Sequence, residues 1–185
     1  MCGRLAAEWN LSMFSIEEVN SKTLNVQTTF TPTPKILVLL EKFTILGMCG
    51  YAAYLTATGT VGLFWFAFLT YISFLLCMLY FVLSTVSVLF IGERSQNELT
   101  VFDKIIWGLF AGCAGLEFFV TFNYWAMVYG PSSTLTFDTV FTHGIIFVLL
   151  LLDGFVVHRL PMRLKQVYII VPLYMVYLIW TMHFH

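Results

Sequence analysis

A threonine and a histidine within apolar stretches are the first candidates for chemistry in this sequence. If those stretches are helices, Thr70 and His143 lie about 12 and 8 Å deep from the same membrane side. A hydroxyl nucleophile needs a neighbouring base to accept its proton, and a neutral imidazole suits that role. Asn123, about 8 Å deep by the same rise, could donate to an oxyanion or a polar head group. The alternative is a threonine that bonds its own backbone and a histidine that only bridges two helices.

Two carboxyl groups lie within otherwise apolar stretches, where burial of a charge is costly. Glu117 is about halfway along its stretch and is expected to be either a proton-relay or catalytic acid, or a neutral carboxyl hydrogen-bonded to a neighbouring helix. A proton or ion pathway would need further polar residues facing Glu117, and the sequence offers few. Asp153 is near the end of its stretch, and we expect a structural pairing with a basic residue such as Lys42.

The cysteines and the terminal histidines predict no metal and no cofactor. Cys49, Cys77 and Cys113 lie inside apolar stretches and are expected to be small packing residues. No CxxC motif and no His/Cys spacing indicates zinc. His183 and His185 are more typical of a membrane interface than of a metal site.

The composition excludes a water-soluble protein. The chain has 185 residues, of which 59% are hydrophobic and only 10% charged, with a net charge of −1. Soluble domains carry roughly 25% charged residues. An ordinary soluble enzyme, a disordered chain and a nucleic-acid-binding protein with a basic face are therefore excluded. A polytopic membrane protein remains.

The fold class predicted is all-α, a bundle of about five transmembrane helices. No charged residue occurs from position 43 to 92, and about 20 apolar residues cross a bilayer, so this run is two helices and a turn. Spans of this length satisfy their backbone in lipid only as helices. The transmembrane domain is residues 36–185, with helices at about 36–57, 62–91, 104–129, 138–158 and 166–183.

The basic residues predict the orientation. All nine precede or open the first helix, or lie between the second and third or between the fourth and fifth helices. By the positive-inside rule the N-terminus faces the cytoplasm, or the matrix or stroma of an organelle. Five helices place all three regions on that one side.

Two regions predict contacts with other molecules. Residues 1–35 are too polar to span a membrane, and apolar residues at 9–19 give a partly amphipathic stretch that could lie on the membrane surface or on a partner. Gly108, Gly112 and Gly115 place small residues on one side of the third helix, as close helix packing requires. We expect membrane lipids and other membrane-protein subunits as partners, and no nucleic acid.

Two segments of the sequence resemble the Rolling stone-like family. Residues 68–76 are similar to the family's helix with a Leu-Thr pair, and residues 141–181 are more similar still. The second resemblance rests on Thr142-His143-Gly144, Asp153, the loop 159–163, Tyr168, Pro172 and Tyr174. A related family is the androgen-induced intramembrane threonine hydrolases, which cleave fatty-acid esters of hydroxy fatty acids. The resemblance implies Thr70 as nucleophile and His143 as base. Rolling stone itself is associated with myoblast fusion.

Two departures from the hydrolase pattern favour a role other than catalysis. Family members continue into a further C-terminal helix, whereas this sequence stops at His185, and apolar or aromatic residues surround Thr70 where the hydrolases have polar ones. We therefore expect a structural or accessory subunit of a larger membrane complex with a degenerate hydrolase-like site. A bioenergetic membrane, such as the mitochondrial inner membrane, is the expected location. The alternative is an active intramembrane hydrolase of lipid esters that uses Thr70 and His143.

Overall fold

The computed structural model describes residues 35–59, 68–90, 101–130, 133–158, 160, 162 and 166–184. These residues form helices and no strand, which confirms the predicted all-α fold class. The helices are α1 (Lys35–Gly59), α2 (Leu69–Phe90), α3 (Val101–Asn123, extended by a π-helical turn at Tyr124–Val128), α4 (Phe137–Val157) and α5 (Val167–Phe184). Of the predicted N-terminal arm, residues 1–34 lie outside the described part, and so do residues 60–67, where the second helix was predicted to begin.

Helices α1 to α4 are each long and apolar enough to cross a membrane. The shortest of them, Phe137–Val157, has 21 residues, or about 31 Å at the α-helical rise. The hydrocarbon core of a bilayer is about 30 Å thick. Large apolar side chains cover the outer surface of the bundle, for example Phe90 with 79% and Ile36 with 68% of its surface exposed. The chain is therefore an integral membrane protein whose outer surface suits lipid.

Helix α4 is irregular in a way that the sequence did not predict. It is π-helical over Phe141–Ile145 and Leu152–Val157, and α-helical over Phe137–Val140 and Ile146–Leu151. Turns of this kind are rare and occur frequently at functional sites. The two π-helical turns contain His143 and Asp153. Because α4 is apolar almost all round, a change from four to five residues per hydrogen-bonded turn leaves no mark on its sequence pattern.

Helices α2 and α3 are the most buried of the four long helices. Helix α2 packs against α1 and α3, while α4 contacts α1, α2 and α3, and α5 packs against α3. Buried aromatic rings fill the core, and Phe74 of α2 meets Phe141 of α4 edge to face with 6.3 Å between ring centroids. This contact places Phe74 and Phe141 at one level of the bundle.

One end of the bundle brings together the start of α1, the end of α2, the start of α3 and the end of α4. Lys35 Nζ donates to the Leu89 carbonyl oxygen at 3.4 Å, and this hydrogen bond joins the start of α1 to the end of α2. Ser87, Asp103 and His158 line one small cavity at the same end. We call this the basic end, defined by Lys35, Ser87 and Asp103, and the other the opposite end.

The glycine face of α3 contacts another helix of the same chain. A Cβ atom added at Gly115 would lie 2.6 Å from Ile170 Cδ1 of α5. One turn along both helices, Phe119 stacks on Tyr174 with 5.9 Å between centroids. Gly112 is buried and Gly108 is half-buried. Gly115 is therefore a packing residue, as predicted, and its neighbour is α5.

Candidate functional site: buried polar groups of the bundle

Thr70 and His143 lie on neighbouring helices, and no hydrogen bond joins these two described residues. Thr70 is in the first turn of α2, one turn from Phe74 towards the opposite end. His143 is two residues from Phe141 towards the basic end. With Phe74 and Phe141 at one level, the two are separated by about 9 Å along the bundle at 1.5 Å per residue. This offset and the missing hydrogen bond give no support to a direct contact between the two side chains.

The surroundings of His143 are aromatic. Its ring stacks on Tyr124, with 3.7 Å between centroids and 8° between the planes. Trp125 Nε1 donates to the His143 carbonyl oxygen at 2.6 Å. The Nδ1 atom of His143 is buried and has no hydrogen-bond partner among the described residues. Asn123 is half-buried at the end of α3, and its predicted role as a donor stays a prediction.

Lys42 and Asp153 form a fully buried ion pair near the basic end, which confirms the pairing predicted from the sequence. Tyr80 of α2 donates its hydroxyl hydrogen to the other carboxylate oxygen, with 2.6 Å between Oη and Oδ2. The Lys42 ammonium also lies 5.6 Å from the Tyr80 ring centroid and 5.5 Å from that of Phe81. Burying an ion is costly unless it is paired, hydrogen-bonded and surrounded by such partners. This set of contacts links α1, α2 and α4.

His158 extends this cluster towards the basic end. Its Nε2 atom lies 3.5 Å from Asp153 Oδ1 and 3.2 Å from Ser84 Oγ. A Ser-His-Asp triad needs the serine and the aspartate on different ring nitrogens. Here both face the same nitrogen, so the arrangement is a branched hydrogen-bond network and lacks the geometry of a triad.

A small cavity of about 20 Å³ lies beyond His158. Its lining is Ser84, Ser87, Asp103, Ile106, His158 and Leu160. A polar cavity of this volume holds one water molecule, whereas sites for drug-sized ligands are roughly 300–1,000 Å³. This cavity therefore suits water and excludes a lipid ester.

A glycine next to Asp153 brings α4 close to α3. A Cβ atom added at Gly154 would overlap the Phe110 ring. The absence of a side chain at position 154 thus allows the Phe110 ring to pack directly on the α4 backbone.

Glu117 forms a second buried cluster, with a thiol and a hydroxyl of α2. Its side chain is fully buried, and Cys77 donates to its Oε1 atom with 3.6 Å between S and O. The Ser73 hydroxyl, which donates to the Thr70 carbonyl oxygen at 3.0 Å, also lies within hydrogen-bonding distance of Glu117. The Oε2 atom has no partner among the described residues. Glu117 thus has one satisfied oxygen and one that can still accept or donate.

The three cysteines of the helices are free and buried, as packing residues should be. In the described part of the chain, no group of three or more His, Cys, Asp or Glu side chains is arranged to hold a metal ion.

Ser84 and His158 were not among the predicted site residues. His158 was predicted only as the last residue of the fourth helix. One feature of the sequence does indicate this cluster. Polar or sulfur-containing side chains of α2 recur at 73, 77, 80, 84 and 87, and this spacing places them on one face of the helix.

Comparisons with family models, with curated proteins and with solved structures give no match to this chain.

Proposed function

We propose that the chain is a structural or accessory subunit of a larger membrane complex, in a bioenergetic membrane such as the mitochondrial inner membrane. The lack of a hydrogen bond between Thr70 and His143, two described residues, is the observation that carries this proposal. A base must lie within hydrogen-bonding reach of the hydroxyl that it deprotonates, directly or through one water. Here the imidazole stacks on Tyr124 instead. The Rolling stone-like pair is accordingly interpreted as degenerate.

The N-terminal arm, residues 1–35, is the proposed contact with other subunits. Its amphipathic part suits a membrane surface or a partner protein. With the N-terminus on the cytoplasmic or matrix side, the arm lies on the same side as the basic end. Because Gly112 is buried and Gly115 packs against α5, the glycine face contributes to partner binding only through the half-buried Gly108.

The subunit proposal is tested by native electrophoresis and mass spectrometry after extraction in a mild detergent. We expect the full chain to migrate within a complex of fixed stoichiometry. A variant that lacks residues 2–34 should insert into the membrane but migrate alone. If the full chain migrates as a monomer in its native membrane extract, the proposal is wrong.

An intramembrane hydrolase of lipid esters is the second candidate, because the buried Nδ1 atom of His143 is available as a base. Purified protein would be incubated with a fatty-acid ester of a hydroxy fatty acid, and release of free fatty acid measured. Activity lost in Thr70→Val and in His143→Gln would support this candidate. Thr44→Val is the matched control, because the Thr44 hydroxyl bonds only its own helix at Leu40. Absence of hydrolysis by the unaltered protein would exclude it.

A further inference from the structure

One face of α2 carries a polar row through the bundle. Ser73, Cys77, Tyr80, Ser84 and Ser87 follow one another at intervals of four, three, four and three residues, which is one helix face. All five are buried, three of them with no exposed surface. A helix in lipid has no need of such a row for its own stability. We call these five residues the polar row of α2.

Ionisable groups from α1, α3 and α4 form hydrogen bonds with the polar row or an ion pair with a group bonded to it. Glu117 of α3 accepts from Cys77, and Asp153 of α4 accepts from Tyr80. His158, just after α4, is hydrogen-bonded to Ser84. Lys42 of α1 pairs with Asp153. The row therefore runs past two clusters, one from the water-sized cavity to Asp153 and one at Glu117, about halfway along α3.

The polar groups continue from Glu117 towards the opposite end. Glu117, Thr121 and Tyr124 are spaced by four and three residues and share one face of α3. Glu117 Oε2 and Thr121 Oγ1 are buried without a hydrogen-bond partner among the described residues, and so is Nδ1 of His143. The His143 ring stacks on Tyr124. Buried polar atoms normally find partners, so these three atoms mark positions that water completes.

We propose that the polar row of α2, together with Glu117, Thr121 and His143, is a proton pathway across the membrane. This inference does not depend on the proposed subunit role. Such a pathway requires groups that accept one proton as they release another. Where two groups are not in direct contact, a water molecule must lie between them. Intramembrane ionisable residues mark such relays in many membrane proteins.

The transfers can be followed from the basic end. A hydronium ion in the cavity beside Asp103 gives its proton to His158, and the imidazolium releases its Nε2 hydrogen to Asp153 Oδ1, so one N–H bond breaks as one O–H bond forms. The protonated carboxyl then turns its O–H towards the Tyr80 oxygen, and Tyr80 gives its own hydrogen to the water on its Cys77 side as it accepts that proton. The next rise, from Tyr80 to Cys77, is about 4.5 Å and is bridged by water. Cys77 then protonates Glu117 at Oε1 and is reprotonated by that water.

Charged and titratable groups of three segments surround Asp153. Lys42 and Glu41 of α1, Tyr80 of α2 and His158 after α4 are the charged or titratable groups near it. With Asp153 ionised, the pair with Lys42 is neutral. Cys49, Cys77 and Cys113 are the titratable groups around Glu117, and none of them carries a positive charge to oppose a proton there.

The test is proton flux into phosphatidylcholine vesicles that contain the purified full chain and an internal pH-sensitive dye. A potassium gradient with valinomycin supplies the driving potential. We expect flux well above that of protein-free vesicles, and a decrease of about 100-fold in Glu117→Gln, as for loss of a positioned proton-transfer group. Thr44→Val, whose hydroxyl bonds only the Leu40 carbonyl of its own helix, should leave the flux within about twofold of the original value.

Tyr80→Phe is the second variant, because it removes one hydroxyl and keeps the ring. We expect a clear loss of flux in Tyr80→Phe and none in Tyr54→Phe, whose ring is 64% exposed on α1. If Glu117→Gln fails to insert into the membrane, the comparison of flux between Tyr80→Phe and Tyr54→Phe tests the proposal. Flux of the unaltered chain equal to that of empty vesicles overturns the proposal, and so does unchanged flux in both Glu117→Gln and Tyr80→Phe.

Discussion

Lys42 and Asp153 lie 111 residues apart in the sequence and form an ion pair with both side chains fully buried. The pair joins the first helix of the bundle to the fourth. Either ion alone in the hydrocarbon region would be costly, whereas together they are neutral. The pair therefore requires α1 and α4 to be in register with each other.

Removal of one partner of this pair should destabilise the bundle more than removal of both. We expect Lys42→Met or Asp153→Leu to lower the free energy of unfolding by about 3–5 kcal/mol, because each leaves a buried charge uncompensated. The double variant should lose much less than the sum. Unfolding in mixed micelles by SDS measures these values. Lys104→Met, at an exposed position of α3, is the control and should change stability by no more than about 0.5 kcal/mol. Additive effects of the two single variants would contradict the pair.

Tyr80→Phe should weaken the same cluster modestly. The hydroxyl donates to a carboxylate in a fully buried setting. We expect a loss of about 1–2 kcal/mol by the same unfolding measurement, at the upper range for hydrogen bonds within membranes. Tyr54→Phe makes the same exchange at an exposed position and should leave stability unchanged. Equal stabilities of these two variants would show that the Tyr80 hydrogen bond contributes nothing.

Gly115→Ala should loosen the contact between α3 and α5. The added methyl group would lie 2.6 Å from Ile170 Cδ1, so α5 must move or the isoleucine must change rotamer. Overpacking of this kind costs about 1–3 kcal/mol. Gly50→Ala on α1 is the matched control, because nothing lies within 4 Å of a Cβ atom there, and it should be neutral or slightly stabilising. Ile170→Ala combined with Gly115→Ala should lose less stability than the sum of the two single variants, and strict additivity would locate the strain elsewhere.

The buried thiols should be unreactive in the folded protein. In a Cys2→Ser background, the remaining cysteines are Cys49, Cys77 and Cys113, all free and buried. We expect no labelling by a water-soluble maleimide in mild detergent, and labelling of all three after unfolding in SDS. Thr134→Cys, at an exposed position before α4, provides the positive control. Labelling of the folded Cys2→Ser protein at any of the three thiols would show that the bundle opens to water.

The sequence predicted the ion pair because few charges lie within the helices and opposite charges in lipid must meet. It placed Thr70 about eight residues into its helix, whereas α2 begins at Leu69 and Thr70 lies in the first turn. An apolar stretch longer than one membrane crossing does not indicate at which residue its helix begins. The depth calculated for Thr70 was therefore wrong by the same number of residues as the predicted start of α2. The π-helical turns of α4 and the contact between Ser84 and His158 depend on tertiary packing, which single-sequence patterns do not encode.

The contact of Gly154 with Phe110 makes the residues at these positions dependent on each other in evolution. With a phenylalanine at 110, only glycine fits at 154, because any Cβ would overlap the ring. A homologue with alanine or serine at 154 must therefore carry a smaller residue at 110. If position 154 changes first, the new Cβ overlaps the Phe110 ring, and if position 110 changes first, a cavity is left beside Gly154. Since Gly154 follows Asp153 directly, the size of one side chain on α3 constrains which sequences can retain the buried acid on α4.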